Sequence, residues 1–123
     1  MKHKIAIIED DIIIRQMYRM KFENENFEVQ VADNGRDGVS LIEDMKPDVV
    51  LLDIHMPEMN GAEVLEKIRK EKWGKNIPVI ILTNLGEEES PKNLRALGIH
   101  SYIVKADFTP RQVVHRVLDA ISE

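Results

Sequence analysis

The sequence contains no cysteine, which excludes a disulfide framework, a thiol nucleophile and any thiolate-bound metal. Positive charge is not in excess either: 17 Lys and Arg stand against 22 Asp and Glu, for a formal charge of −5. Nucleic acids and anionic membranes are bound by basic faces, so this balance supports neither kind of partner. No apolar run approaches the roughly 18 residues of a membrane span. The run after the basic start Met1-Lys2-His3-Lys4 reaches Glu9 too soon for a signal peptide. Repeats, low-complexity tracts and Pro/Gly/Ser linkers are missing, so the 123 residues are read as a single domain, 1–123, with no output domain after it. No Gly-rich phosphate loop follows the first apolar run, which counts against nucleotide binding. His3, His55, His100 and His115 are scattered without metal-ligand spacing. These features together set the expectation of a cytoplasmic protein.

Two kinds of segment alternate along the chain. Short apolar runs rich in β-branched residues stand at Ile5–Ile8, Val49–Leu52, Ile77–Leu82 and Tyr102–Val104, as suits strands buried on both faces of a parallel sheet. Phe27–Val31 alternates more and reads as a strand nearer an edge. Between them lie helical stretches: Ile12–Asn24 behind Asp11 as cap, Asn34–Met45 ending before Lys46-Pro47, and Asn60–Lys70 with Val64, Leu65 and Ile68 on one face. Ser90–Leu97 predicts a weaker helix with Ser90 as cap, Pro91 at its first position and Gly98 as its stop. A last helix begins at Thr109-Pro110 and carries Val113, Val114, Val117, Leu118 and Ile121 on one stripe. Such alternation predicts a doubly wound α/β domain with right-handed crossovers, whose ligands bind beyond the carboxyl ends of the strands.

At those ends stand Glu9-Asp10-Asp11 after the first strand, Asp53 after the third, Thr83 after the fourth and Lys105 after the fifth. Taken singly, each has a plainer role: Asp11 caps a helix, Asp53 makes a turn, Thr83 fills a strand and Lys105 is solvated. Taken together they point to chemistry. Crowded carboxylates repel and raise a pKa unless a cation intervenes. An oxygen cluster with no His or Cys partner suits a hard ion such as Mg²⁺. Lysine and threonine are superfluous for an ion store, but they suit a phosphoryl group as countercharge and hydroxyl donor. A carboxylate is also a competent nucleophile, giving an aspartyl phosphate.

Four motifs carry a resemblance from Ile5 to Ile121: Ile7-Ile8-Glu9-Asp10-Asp11, Val49-Val50-Leu51-Leu52-Asp53-Ile54-His55-Met56-Pro57 with Gly61 following, Ile80-Ile81-Leu82-Thr83, and Tyr102-Ile103-Val104-Lys105. In this order and at these separations the chain resembles a receiver domain of the bacterial two-component response regulators. The resemblance implies a flavodoxin-like five-stranded parallel sheet in the order 2-1-3-4-5, with about five helices on its two faces. It implies that Asp53 accepts a phosphoryl group from a sensor histidine kinase or histidine phosphotransfer protein. Asp10 and Asp53 are then direct Mg²⁺ ligands, Glu9 acts through water, and the His55 backbone carbonyl is the third protein ligand. Lys105 pairs with phosphoryl oxygens, Thr83 moves toward one of them, and Tyr102 changes rotamer with it. Output is read from the fourth helix, fifth strand and fifth helix by an unknown downstream protein. The same expectation includes no nucleic acid, no membrane, a monomer or weak homodimer, and no enzymatic activity beyond self-phosphotransfer and auto-dephosphorylation.

Two positions depart from the family's commonest pattern. Ala106 stands where proline usually follows the lysine, which predicts a trans bond, since a non-proline cis bond costs about 2.5–4 kcal/mol. Asn84 stands where a small residue usually follows the threonine, which predicts an altered phosphoryl lifetime. Two alternative functions are a receiver cut from a larger hybrid kinase or regulator, and a Mg²⁺-dependent phosphatase with an aspartate nucleophile. The phosphatase usually needs a second acid two residues on, where this chain has His55.

Overall fold

Alternate residues of each apolar run serve opposite faces of one sheet, and that alternation sets the architecture. The computed structural model describes residues 2–122. Its elements run β1 (Lys4–Ile8), α1 (Ile12–Asn24), β2 (Glu28–Ala32), α2 (Gly35–Met45), β3 (Val49–Leu52), α3 (Gly61–Arg69), β4 (Val79–Thr83), α4 (Leu94–Leu97), β5 (Ser101–Val104) and α5 (Pro110–Ile121). Short 3₁₀ turns occupy Glu87–Glu89 and Lys105–Asp107. The strands form one sheet in the order β2-β1-β3-β4-β5, every neighbouring pair parallel. This is the doubly wound, flavodoxin-like order that the motifs imply.

Ile5, Ile7, Val49, Leu51, Ile80, Leu82 and Ile103 face one core, closed by α1 and α5 through Tyr18, Phe22, Val113, Val114 and Val117. Ala6, Ile8, Val50, Leu52 and Ile81 face the other, closed by α2, α3 and α4 through Ile42, Val64, Leu65, Ile68 and Leu94. Strands buried on both faces need this unbroken apolar character. Phe22 stacks edge-on against Phe27, with ring centroids 5.2 Å apart. α1 buries little else: Ile12, Ile13, Met17 and Met20 remain exposed.

Polar caps start the helices where the sequence places them. Asp11 Oδ1 accepts from the amides of Ile13 at 2.9 Å and Ile14 at 3.1 Å. Asn60 and Thr109 each complete a reciprocal capping box, with Glu63 and Gln112 respectively.

Three expectations need correction. β4 occupies Val79–Thr83 rather than Ile77–Leu82. Pro78 has no N–H to give to a central ladder, although its carbonyl still accepts from Val50 N at 2.9 Å. The fourth helix is a single turn, Leu94–Leu97, and Ser90 does not cap it: its hydroxyl turns back to the Glu87 carbonyl at 2.6 Å. Gly98 does stop it, in the positive-φ conformation (φ 86°) that glycine adopts without strain. On α5 the apolar stripe is narrower than its sequence, because Leu118 is 41% exposed while Val117 is fully buried.

That difference has a measurable consequence. Val117→Ala should cost ~2 kcal/mol in urea denaturation, from lost burial and an unfilled cavity. Leu118→Ala should cost under about 1 kcal/mol, as surface changes do.

Candidate functional site

Register carries the chemistry to one place. Ile8 pairs with Leu52, Leu52 with Ile81 and Thr83 with Val104, so the residues that end β1, β3, β4 and β5 line a single edge. The ladder runs one step further on each side of β1: Glu9 N donates to Ala32 O and Asp53 N to Ile8 O, both at 3.0 Å. These two bonds seat Glu9 and Asp53 on the rigid sheet, with their side chains at its C-terminal rim. Both are buried, 3% and 5% exposed. Asp10 is exposed beside them.

One carboxylate oxygen from each of Glu9, Asp10 and Asp53 lies within 4.8 Å of the others. Lys105 Nζ reaches in from the end of β5, 2.7 Å from Glu9 Oε1 and 3.7 Å from Asp53 Oδ2. The lysine expected to meet a phosphoryl group is therefore paired chiefly with Glu9 here, a contact the sequence does not signal. Burial drives the Glu9 carboxyl up to about 7; the Lys105 hydrogen bond opposes the rise, and the Asp53 charge adds to it. Tyr18 closes the floor beneath Glu9 and Asp53. Burial, helped by the Glu9 charge, pushes its hydroxyl to about 12.

The remaining residues stand around this cluster. His55 N–H points at Asp53 Oδ1 at 3.3 Å, which holds the His55 main chain against the aspartate. Gly61 N donates to Ile54 O at 2.9 Å, and a Cβ at Gly61 would overlap the Asp53 carbonyl oxygen. The start of α3 approaches the aspartate this closely only because residue 61 has no side chain. Thr83 is buried at the end of β4, and its Oγ1 accepts from Leu85 N at 3.4 Å. Tyr102 O–H donates to the Leu85 carbonyl at 2.8 Å. Burial raises its pKa, helped by Glu87, Glu88 and Asp53 and opposed by a Ser90 hydrogen bond. Asn84 is exposed, and the side of the cleft facing Asp10 and His55 is lined instead by Leu85, Glu89 and Pro91. The Lys105–Ala106 bond is trans, as are the other peptide bonds among the described residues.

All seven sequence-predicted positions thus lie on or beside one rim, although only Glu9, Asp10, Asp53 and Lys105 form the charged cluster. Its donor set is oxygen only, and that chemistry fits a hard divalent ion such as Mg²⁺. Arg15 joins the site unannounced: its Nη1 donates to the carbonyls of Glu9 at 3.0 Å and Asp10 at 3.3 Å. An arginine inside an amphipathic helix carries no sequence signal for such a bond. Among the described residues no helix is long and apolar enough to cross a membrane.

Known proteins resemble this chain in sequence and in fold. The transcriptional regulatory protein SrrA of Staphylococcus aureus is 38% identical over 117 residues, which are 95% of this chain and 47% of that protein. The chain therefore spans about half the length of the curated relatives it matches. The chemotaxis response regulator CheY4 of Vibrio cholerae superposes with a TM-score of 0.88 at 27% identity, over 98% of this chain and 99% of that one. The receiver domain of the sensor histidine kinase PA1611 of Pseudomonas aeruginosa PAO1 has magnesium coordinated in its active site cleft. It superposes with a TM-score of 0.90 over the whole of both chains, and at 20% identity that likeness bears on the fold alone. The family model for the response regulator receiver domain matches residues 5–118, and the chain belongs to that family.

Proposed function

We propose that the chain is a phosphorylation-dependent signalling switch in which Asp53 takes a phosphoryl group from a phosphohistidine of a sensor histidine kinase or histidine phosphotransfer protein. The observation that carries this reading is the buried Asp53 carboxylate, with Glu9 and Asp10 oxygens within 4.8 Å and the Lys105 ammonium at 3.7 Å. A storage site for a cation has no use for that ammonium. In the transfer the donor's N–P bond breaks, an O–P bond forms at a carboxylate oxygen of Asp53, and the released imidazole takes up a proton. Bound Mg²⁺ supplies neutralisation of the charge on the transferring phosphoryl group. Asp10 and Asp53 would hold it directly, Glu9 through water, and the His55 carbonyl would complete the protein ligands. The all-oxygen cluster of Glu9, Asp10 and Asp53 supports this choice of ion.

Lys105 then has two possible partners. In the unphosphorylated protein it neutralises Glu9; once a phosphoryl group is present it has a stronger anionic partner within reach. Thr83 would follow as hydroxyl donor to a phosphoryl oxygen. Its neighbour Leu85 is held by Tyr102, so a shift of Thr83 is transmitted to the loop that leads to α4. The α4, β5 and α5 face would carry the output to a downstream protein. The apolar residues exposed on α1 directly after the acidic turn suit contact with the phosphodonor protein. We read the chain as no enzyme beyond its own phosphotransfer and dephosphorylation, working in the cytoplasm. A phosphatase is disfavoured because His55 stands where its general acid would be.

Incubation with a small phosphodonor and Mg²⁺ should add one phosphoryl group by intact mass. Asp53→Asn should add none, and an equal gain by that variant would sink the assignment.

The Glu9 carboxyl yields a second expectation. Its pKa rises from 4.5 unfolded to about 7 folded, so between those values the folded state binds the extra proton. The Glu9 contribution to stability in metal-free buffer should therefore be fully present below about pH 4.5 and be lost as pH rises through about 7. Thermal melts across this range should show the decline. Glu9→Gln should flatten it, and Mg²⁺ should stabilise wild type more above pH 7 than below, because cation and proton compete for the same oxygens.

A further inference from the structure

Past the end of β1 the main chain leaves one hydrogen-bond ladder before it joins the next. Glu9 N still donates into the sheet, to Ala32 O, and the first helical acceptor is Asp11 O, which takes Arg15 N at 2.9 Å. The carbonyls of Glu9 and Asp10 fall in the gap between strand and helix, where neither element supplies a partner. Arg15, one turn into α1, reaches back to both with a single nitrogen, Nη1, at 3.0 and 3.3 Å.

We infer that Arg15 is a positioning residue for the cation site, fixing the turn that aims Asp10 at Asp53 by tying down the two consecutive carbonyls behind it. This rests on the reading of Glu9, Asp10 and Asp53 as a Mg²⁺ site.

Three observations support the assignment. Asp10 is the exposed member of the acidic trio, so packing does not set its direction as it does for Glu9 and Asp53; the backbone must. Among the described residues the turn is otherwise held by one bond across it and by the helix cap. Asp11 N donates to Glu9 Oε2 at 3.1 Å, and the Asp11 carboxylate is committed to the amides of Ile13 and Ile14. Finally, Arg15 lines an open cleft together with Asp33 and Asp37, yet its guanidinium hydrogen bonds go to the carbonyls of the acidic turn. Both N–H bonds of Nη1 lie in the fixed plane of the guanidinium, so the two carbonyls are held in one orientation, which a freely rotating ammonium on a flexible stem does not impose.

Positioning and simple charge predict opposite signs. Arg15 adds a positive charge near a cation site, and as a charge alone it repels the ion, so its removal would tighten Mg²⁺ binding. As a support for Asp10, its removal weakens binding, in the way that loss of groups behind metal ligands typically does.

The test is Mg²⁺ titration calorimetry on the unphosphorylated chain, with no phosphodonor present. Arg15→Met keeps the apolar stem and removes every donor; it should weaken Mg²⁺ binding about tenfold. In a separate assay with a small phosphodonor at saturating Mg²⁺, its phosphorylation rate should return to the wild-type value, so the defect lies in the ion's half-saturation and not in the chemistry. Arg15→Lys, which keeps the charge and one donor group, should fall between. Binding by Arg15→Met as tight as wild type, or tighter, would overturn the inference. So would a rate that stays low at saturating ion. A wild-type chain that takes up no Mg²⁺ would overturn the metal-site reading itself, and this one with it.

Discussion

The structure depends on one electrostatic conflict: carboxylates brought from separate stretches of chain to the rim of a sheet that is apolar on both faces. Water solvates such groups well, and burial removes it. Glu9 and Asp53 cannot retreat, because each extends a β ladder through its own amide. The conflict is answered in three ways. Lys105 supplies a positive charge at 2.7 Å from Glu9. Burial pushes the Glu9 carboxyl toward its neutral form, up to about 7. A divalent cation, where one binds, meets the same need more fully. All three answers compete for the same oxygens, and a site in which proton, ammonium and metal exchange is already poised to respond to a new anion.

The fold positions that conflict by ordinary means. Parallel register carries the strand ends to a common line, and each helical crossover starts the next strand from the opposite rim, so that all five run the same way. Gly61 then lets α3 start against the Asp53 main chain, where any side chain would meet the carbonyl oxygen. Asp11 shows how closely structure and site share the same few residues. Its carboxylate starts α1 and its amide holds Glu9, so the acidic turn is at once a helix cap and part of the charged rim.

Much of this was legible in the sequence, for a physical reason. Strands buried on both faces must be continuously apolar, so Ile5–Ile8 and Val49–Leu52 stand out, and the polar residue that breaks each run marks the rim. Helix starts were legible where a side chain caps them, as at Asp11, Asn60 and Thr109. The misreadings share a cause as well. Ser90-Pro91 has the composition of a helix start, but the Ser90 hydroxyl has a nearer acceptor in the Glu87 carbonyl, and one turn of helix is what remains. Leu118 fits the apolar stripe of α5, yet the stripe is wider than the surface it covers. The Lys105–Glu9 pair and the Arg15 bonds were invisible because they depend on which of several nearby acceptors a long side chain chooses. That choice belongs to three-dimensional distance and not to spacing along the chain.

The parts that hold the site and the part that follows Thr83 differ in how firmly they are fixed. Beneath the rim, the strands are locked by side chains buried on both faces. Beyond Thr83, the chain from Asn84 to Asn93 is held mainly by scattered hydrogen bonds: Leu85 N on Thr83 Oγ1, the Tyr102 hydroxyl on the Leu85 carbonyl, Ser90 on Glu87, and the exposed two-bond pair of Glu87 with Arg95. The two-bond geometry makes the Glu87–Arg95 pair stronger than most exposed ion pairs, although solvent still screens it, and a neutral hydrogen bond contributes roughly 1 kcal/mol net. Near the far end of α4 the hold tightens again, where the Arg69 guanidinium donates to the carbonyls of Gly74, Leu97 and Gly98. The least firmly held stretch thus lies between a well-packed sheet edge and an anchored helix end. A two-state element needs roughly 5.5 kcal/mol of differential interaction for a near-complete swing, and a few contacts of this size on the loop side are the ones such a bias can overcome. A change at Asp53 would therefore be expressed in the loop and α4, because the sheet beneath is too well packed to yield.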